Sequence, residues 1–213
     1  VLTPQEVKSI LSQMSGTIRL MASLIYGCGL RLQECLRLRI KDIDLFQNTL
    51  IVREGKGNKD RITILPERLK PELREHLQYV RKIYEKDRKD DIGGVYLSDA
   101  LERKYPNAGK EWSWFRLFPS KSLSIDPRTP KVRRHHIYPA SLQKAFKKGA
   151  FKAEIPKLVT IHTLRHSFAT HLIERGYDLR VVHELLGRKS VQTPMIYTHV
   201  AGKNIFNAKS PQD

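Results

Sequence analysis

The sequence predicts a mainly α fold with one small antiparallel β-sheet (α+β) and an inserted segment of loops and short helices. Three observations carry that reading. Helix caps and helical apolar spacing occur towards both ends of the chain, and two β-branched runs flank a glycine-rich turn. Between the helical parts lies a stretch rich in proline, glycine and tryptophan. The 213 residues, 40% of them hydrophobic, suffice for an ordinary core and fit one large domain or two small ones.

The elements follow in order. Thr3, Pro4 and Glu6 form a capping box with proline at the first helical position. Ile18, Met21, Ala22, Leu24 and Ile25 continue a second helix up to Gly27-Cys28-Gly29, and Leu30 to Leu38 reads as a third helix opened by those glycines. Thr49–Val52 and Arg61–Leu65 are strands around Gly55-Lys56-Gly57-Asn58, a hairpin. Helices follow to about residue 88. Residues 89–140 hold Gly93-Gly94, five prolines, Trp112 and Trp114, with few long periodic stretches. From 141 the pattern is helical again: Gly176 closes one helix, Asp178 caps the next, and Gly187 ends it. Thr193-Pro194 starts a last short helix carrying Tyr197.

Composition narrows the function. With 39 Lys+Arg against 22 Asp+Glu, the chain has a net charge of +17, spread along its length as on a folded basic face. Phosphate neutralisation makes nucleic acid the leading partner, ahead of an anionic membrane surface. No apolar run reaches the ~20 residues of a membrane span, and no basic-then-apolar leader opens the chain. Cys28 and Cys35 sit in an apolar stretch without nearby metal-ligand partners, which predicts two reduced, buried thiols in a cytoplasmic protein. The chain opens at Val1 directly on a helix cap, so a longer protein with further N-terminal sequence is expected.

Five places can carry chemistry. Arg31, with Glu34 one turn on, is either a phosphate grip at a helix start or a surface ion pair. Lys56 at the hairpin tip either reaches into a reaction site or is a solvated turn residue; the P-loop spacing is absent. In His162-Thr163-Leu164-Arg165-His166, His162 and Arg165 share a helix face and can converge on one phosphate. The i,i+4 histidines have zinc-helix spacing, but Thr163 stands where a glutamate base is needed and Arg165 puts a positive charge between the ligands. No metal site is therefore expected. Arg188 follows Leu185-Leu186-Gly187, and Tyr197 lies in Met195–Val200. A tyrosine is a poor nucleophile unless cations surround it and a phosphate is held in line.

Taken together, Arg31, Lys56, His162-x-x-Arg165 and Tyr197, in the frames GCGLRLQEC (27–35), GKGNKDR (55–61), HTLRHSFATHLIERGYDLRVVHELLG (162–187) and MIYTHV (195–200), resemble the catalytic domain of tyrosine site-specific recombinases, the phage integrase family. The resemblance implies one catalytic domain over 1–213, with the N-terminal core-binding DNA domain absent from this chain. The stretch between Arg31 and His162 is longer than in Xer-type relatives. Its ALERKYPNAGKEWSW (100–114) and VRRHH (132–136) resemble the insertion of integron integrases, here about 90–136. Ser210-Pro211 fits that subfamily also.

By this resemblance Tyr197 attacks a scissile phosphate to give a 3′-phosphotyrosyl link, without ATP, metal or other cofactor. Arg31 and Arg165 clamp the non-bridging oxygens, Lys56 is the general acid, and His162 assists proton transfer or binds the phosphate. Glu34 buttresses Arg31. Lys59, Arg61, Trp112, Trp114, Arg133, Arg134, His135 and His136 are expected to contact DNA, which is duplex or a folded single-stranded cassette site with extrahelical bases; the tryptophans have core packing as their alternative. A tetramer on paired sites, in the bacterial cytoplasm and at the nucleoid, completes the expectation.

One position departs from the family pattern. Arg188 stands where a histidine, sometimes a tryptophan, is usual, and arginine does not exchange protons near neutral pH. Pro194 stiffens the segment that delivers Tyr197. A DNA-binding relic and a type IB topoisomerase are the competing readings.

Overall fold

The computed structural model describes residues 1–53, 60–127, 129–187 and 210–212. Among these, the chain runs α1 (Pro4–Ser12), α2 (Gly16–Cys28), α3 (Leu32–Arg37), β1 (Ile43–Asp44), β2 (Thr49–Val52), β3 (Arg61–Ile64) and α4 (Lys70–Lys89). It continues through α5 (Asp99–Lys104), β4 (Ser124–Ile125), β5 (Val132–Arg133), α6 (Pro139–Lys152), α7 (Ile161–Glu174) and α8 (Leu179–Leu186), with short 3-10 turns between. The mainly helical α+β class is as predicted.

Local chemistry sets the helix ends. In the expected capping box, the Glu6 amide donates to Thr3 Oγ1 at 3.2 Å and the Thr3 amide donates to Glu6 Oε2 at 2.7 Å. Asp178 Oδ1 accepts from the Arg180 amide at 2.6 Å. The glycine pair before α3 acts differently from expectation. Gly29, at φ +62°, closes α2 as a left-handed cap, and α3 begins only at Leu32, with Arg31 extended at its N-cap.

α2 is the centre of the molecule. It is buried continuously from Leu20 to Cys28, as an all-round apolar helix must be, and packs on α1, α6 and α7. Both cysteines are buried thiols that form no disulfide with each other. The main sheet is antiparallel in the order β1-β2-β3, with Leu50 opposite Thr63 and Val52 opposite Arg61. The sequence showed β2 and β3 but not β1, because two residues carry no period. The same holds for β4 and β5, a two-stranded antiparallel ribbon pairing Ile125 with Val132.

Val80 of α4 and Val95, Leu97, Ala108 and Phe115 of the segment after it form a second, smaller core, on which Trp112, Trp114 and Ile40 pack. It is tied to the first core by main-chain bonds: the Ile40 amide donates to the Phe115 carbonyl at 3.0 Å and the Leu117 amide to that of Leu38 at 2.9 Å. No described helix is long and apolar enough to cross a membrane.

Two buried histidines bind the layers together as neutral rings. His76 on α4 meets the Leu117 carbonyl at 2.8 Å, and His171 on α7 meets both the Leu2 carbonyl at 2.9 Å and the Tyr26 hydroxyl at 2.8 Å. Since a carbonyl only accepts, Nε2 of His171 carries the proton and Nδ1 accepts from Tyr26. Burial holds both histidines below the ordinary value of 6.5 and pushes the Tyr26 phenol up to about 12. The unfolded chain therefore takes up protons that the fold resists, so stability is complete above the unfolded value and falls as pH drops through the folded ones. The expected outcome is a Tm several degrees lower at pH 5.5 than at pH 7.5 by calorimetry. Replacing His76 by Gln, which keeps a donor for Leu117, makes that slope shallower.

Candidate active site and nucleic-acid interface

One carboxylate gathers three arginines. Glu34, in the first turn of α3, is almost fully enclosed, and its Oε2 accepts from the Arg31 amide at 2.7 Å while Oε1 accepts from Arg31 Nη1 at 2.6 Å. Arg61 at the start of β3 approaches as a fork, with Nη1 donating to Oε1 at 2.8 Å and Nη2 to Oε2 at 2.7 Å. Arg165, from α7, lies 3.5 Å from Oε2. Arg165 also donates to the carbonyls of Gly29 and Leu186, the C-terminal ends of α2 and α8. Glu34 thus brings together two arginines, 31 and 165, that the sequence separates by 134 positions. Arg31 keeps a third of its side chain exposed, whereas Arg165 is nearly buried.

Burial alone would raise the Glu34 carboxyl, but the Arg61 fork, joined by Arg31, outweighs it and holds the group down at about 2. His162, on the first turn of α7, is exposed one turn before Arg165. Lys56, Lys59, Arg188 and Tyr197 lie outside the described residues.

Beside this cluster, and sharing Glu34 with it, a cleft of about 560 Å³ opens between the first core and the inserted segment. Arg37, Arg39, Lys41 and Arg53 of its lining come from the first part of the chain; Trp114, His135 and His136 come from the inserted segment. The Lys41 ammonium sits 2.9 Å from the Trp114 ring centre, and the Arg39 guanidinium 4.6 Å from it. Burial, then the charges of Arg53 and Arg39, lower the Lys41 amine to about 8. Burial likewise keeps His136 below its ordinary value; its Nδ1 lies 2.9 Å from the Ile137 carbonyl, so Nε2 is left as an acceptor.

The structure separates the expected DNA contacts into two groups. Trp114, His135 and His136 face the cleft, while Trp112 packs on Tyr84 and Phe115 with the Arg81 guanidinium 4.9 Å over its ring. Arg61, Arg133 and Arg134 turn inward: their side chains are 8%, 3% and 9% exposed and bind protein carboxylates. Arg133 pairs with Glu102 at 2.8 Å and Asp126 at 3.1 Å. Arg134 takes both oxygens of Asp87, at 2.5 and 2.6 Å. The reason is largely tertiary, because Glu34, Glu102 and Asp87 come from remote positions and buried arginine needs such partners. Arg39, Lys41 and Arg53 were missed; the alternation of Arg37, Arg39 and Lys41 was the available signal.

Comparison with known proteins gives the family. The model of the phage integrase family matches residues 1–204. The chain belongs to the phage integrase family. An integrase/recombinase of Escherichia coli is 52% identical across the whole chain, which covers 63% of that protein. Tyrosine recombinase XerA of Pyrococcus furiosus is 34% identical over 97% of the chain and 59% of its own length. The chain therefore spans about three-fifths of the length of the curated relatives it matches. The solved XerA recombinase superimposes with a TM-score of 0.59 at 28% identity, over 97% of this chain and 62% of that one. XerH site-specific recombinase, solved on its difH substrate after cleavage, has the same fold at a TM-score of 0.58 and 24% identity.

Two substitutions check the arginine cluster. Glu34→Gln removes a carboxylate whose depressed value contributes on the order of 3 kcal/mol. That contribution is present above the unfolded value of 4.5 and lost as pH falls towards about 2. The variant is expected to unfold earlier than wild type in urea at pH 7, with the gap narrowing at pH 3. Gly29→Ala forces a left-handed backbone at φ +62° and places a methyl 2.6 Å from the Phe168 ring. It is expected to lower stability by about 2 kcal/mol or more in the same titration.

Proposed function

We propose that the protein is the catalytic part of a site-specific DNA recombinase of the integron integrase type. It cuts and rejoins strands through a 3′-phosphotyrosyl intermediate. The observation that carries the reading is that Glu34, on which Arg31 and Arg165 converge, also lines the basic, aromatic cleft beside the inserted segment.

In this reading the Tyr197 oxygen attacks phosphorus, the P–O bond to the 5′-oxygen breaks, and Lys56 protonates that leaving oxygen. Arg31 and Arg165 neutralise the non-bridging oxygens as charge accumulates on them, and their attachment to Glu34 holds them in place beforehand. His162 binds the phosphate or takes the phenolic proton. A 5′-hydroxyl from another strand reverses the attack and reforms a phosphodiester, so the bond energy is kept and neither ATP nor metal is needed. Arg188 donates to a phosphate oxygen without exchanging protons.

The cleft serves the folded single-stranded cassette site. An extrahelical base stacks on Trp114 and is bordered by His135 and His136, while Arg39, Lys41 and Arg53 hold its backbone phosphates. The protein acts as a tetramer on paired sites, on DNA of the bacterial nucleoid in the cytoplasm.

A nicked suicide substrate tests the chemistry. A denaturation-resistant protein–DNA adduct is expected with wild type and none with Tyr197→Phe. If binding persists without an adduct and Arg188→His restores it, the protein is a weakened relic of such an enzyme. Relaxation of supercoils without strand exchange between two sites would make it a topoisomerase. Trp114→Ala is expected to reduce adduct formation on a folded hairpin carrying extrahelical bases by about tenfold while leaving duplex cleavage near wild type.

A further inference from the structure

The Arg61 guanidinium joins three parts of the molecule. It is the first residue of β3, five positions after Lys56, and its side chain is 8% exposed. Both terminal nitrogens grip Glu34, and Nε donates to the Leu185 carbonyl at 2.9 Å. That carbonyl is one of the last four of α8, which have no partner inside the helix. The next carbonyl, of Leu186, is taken by Arg165. Two arginines therefore fasten the end of α8 to the Glu34 cluster, three residues before Arg188 and twelve before Tyr197.

The neighbouring backbone is shaped around this fork. Gly187 caps α8 at φ +62°, and a Cβ there would lie 2.8 Å from Arg61 Cδ. The absence of a side chain at 187 leaves the space that the arginine stem occupies. A lysine at 61 would carry the same charge but cannot present the planar fork to both oxygens and a third donor to the carbonyl.

We propose that Arg61 is a positioning residue for strand cleavage. One side chain couples the strand following the Lys56 hairpin, the carboxylate that holds Arg31 and Arg165, and the end of the helix leading to Tyr197. Its influence on the scissile phosphate passes through those groups. The inference rests on the proposed cleavage chemistry, and its effect is on rate: small displacements of charge-stabilising donors are enough to slow a phosphoryl transfer.

The test compares Arg61→Lys and Arg61→Ala with wild type on a nicked duplex and on the same duplex with a methylphosphonate at the scissile position. Single-turnover adduct rate, DNA affinity and Tm are measured for each. Both variants are expected to lose about tenfold or more in rate with affinity nearly unchanged. Lysine is expected not to rescue. The deficit should shrink on the methylphosphonate, which is uncharged and has one fewer non-bridging oxygen for misplaced arginines to neutralise. Cleavage by folded Arg61→Lys at the wild-type rate overturns the proposal, as does an equal deficit on both substrates or a rate loss matched by lost DNA affinity. Should Arg61→Ala not fold, Arg61→Lys decides. If wild type itself forms no adduct, the cleavage reading fails, and amide hydrogen exchange decides the coupling separately. Faster exchange at Gly187 in Arg61→Lys, with α1 unchanged, supports it; unaltered exchange at Gly187 overturns it.

Discussion

The structure depends on a carboxylate that cannot be left alone. Glu34 is nearly enclosed and accepts from Arg31 and Arg61, with Arg165 at 3.5 Å. Burying any one of these charges singly is strongly unfavourable, and the pairing in a low-dielectric site compensates it. The consequence is geometric as well as energetic. The partners come from the N-cap of α3, from β3 and from α7, so the pairing ties three parts of the chain together. The arginines are thus preorganised by the requirements of burial, before any substrate arrives.

The backbone takes part in the same arrangement. Arg61 and Arg165 use their remaining donors on carbonyls at the ends of α2 and α8, where helix geometry leaves acceptors open and favours positive charge. The left-handed glycine caps at 29 and 187 bring those ends close to the arginines. Gly29 approaches the Phe168 ring and Gly187 the Arg61 stem so tightly that neither position has room for a side chain. Packing, capping and electrostatics converge on a single locus.

The inserted segment repeats the principle with different residues. Arg133 and Arg134 face inward to Asp126, Glu102 and Asp87, and so brace the short ribbon and the turns that carry Trp114. Adjacent His135 and His136 are thereby left at the cleft, together with Arg39 and Lys41. Of four consecutive basic residues, two hold the insertion in place and two face the opening. Lys41 reaches the insertion through the Trp114 ring, its amine lowered to about 8 by burial and by neighbouring cations.

Much was legible without coordinates. The capping box at Thr3, the hairpin strands, the Asp178 and Gly187 helix limits and the family all follow from local residue order, since caps, turns and β-branched runs act over a few positions. Charge pointed to a polyanion for the same reason: it is a sum over the chain. What sequence order could not decide is which basic residues face outward. Arg61, Arg133 and Arg134 read as DNA contacts beside other cations, yet each lies against an acid remote in the chain, 27 positions away for Arg61 and 47 for Arg134. The reverse holds for Arg39 and Lys41, whose access to the cleft comes from packing of the inserted segment. Local spacing determines helices, caps and turns; the partner of a buried charge is set by where distant elements meet, and only the tertiary fold brings them together.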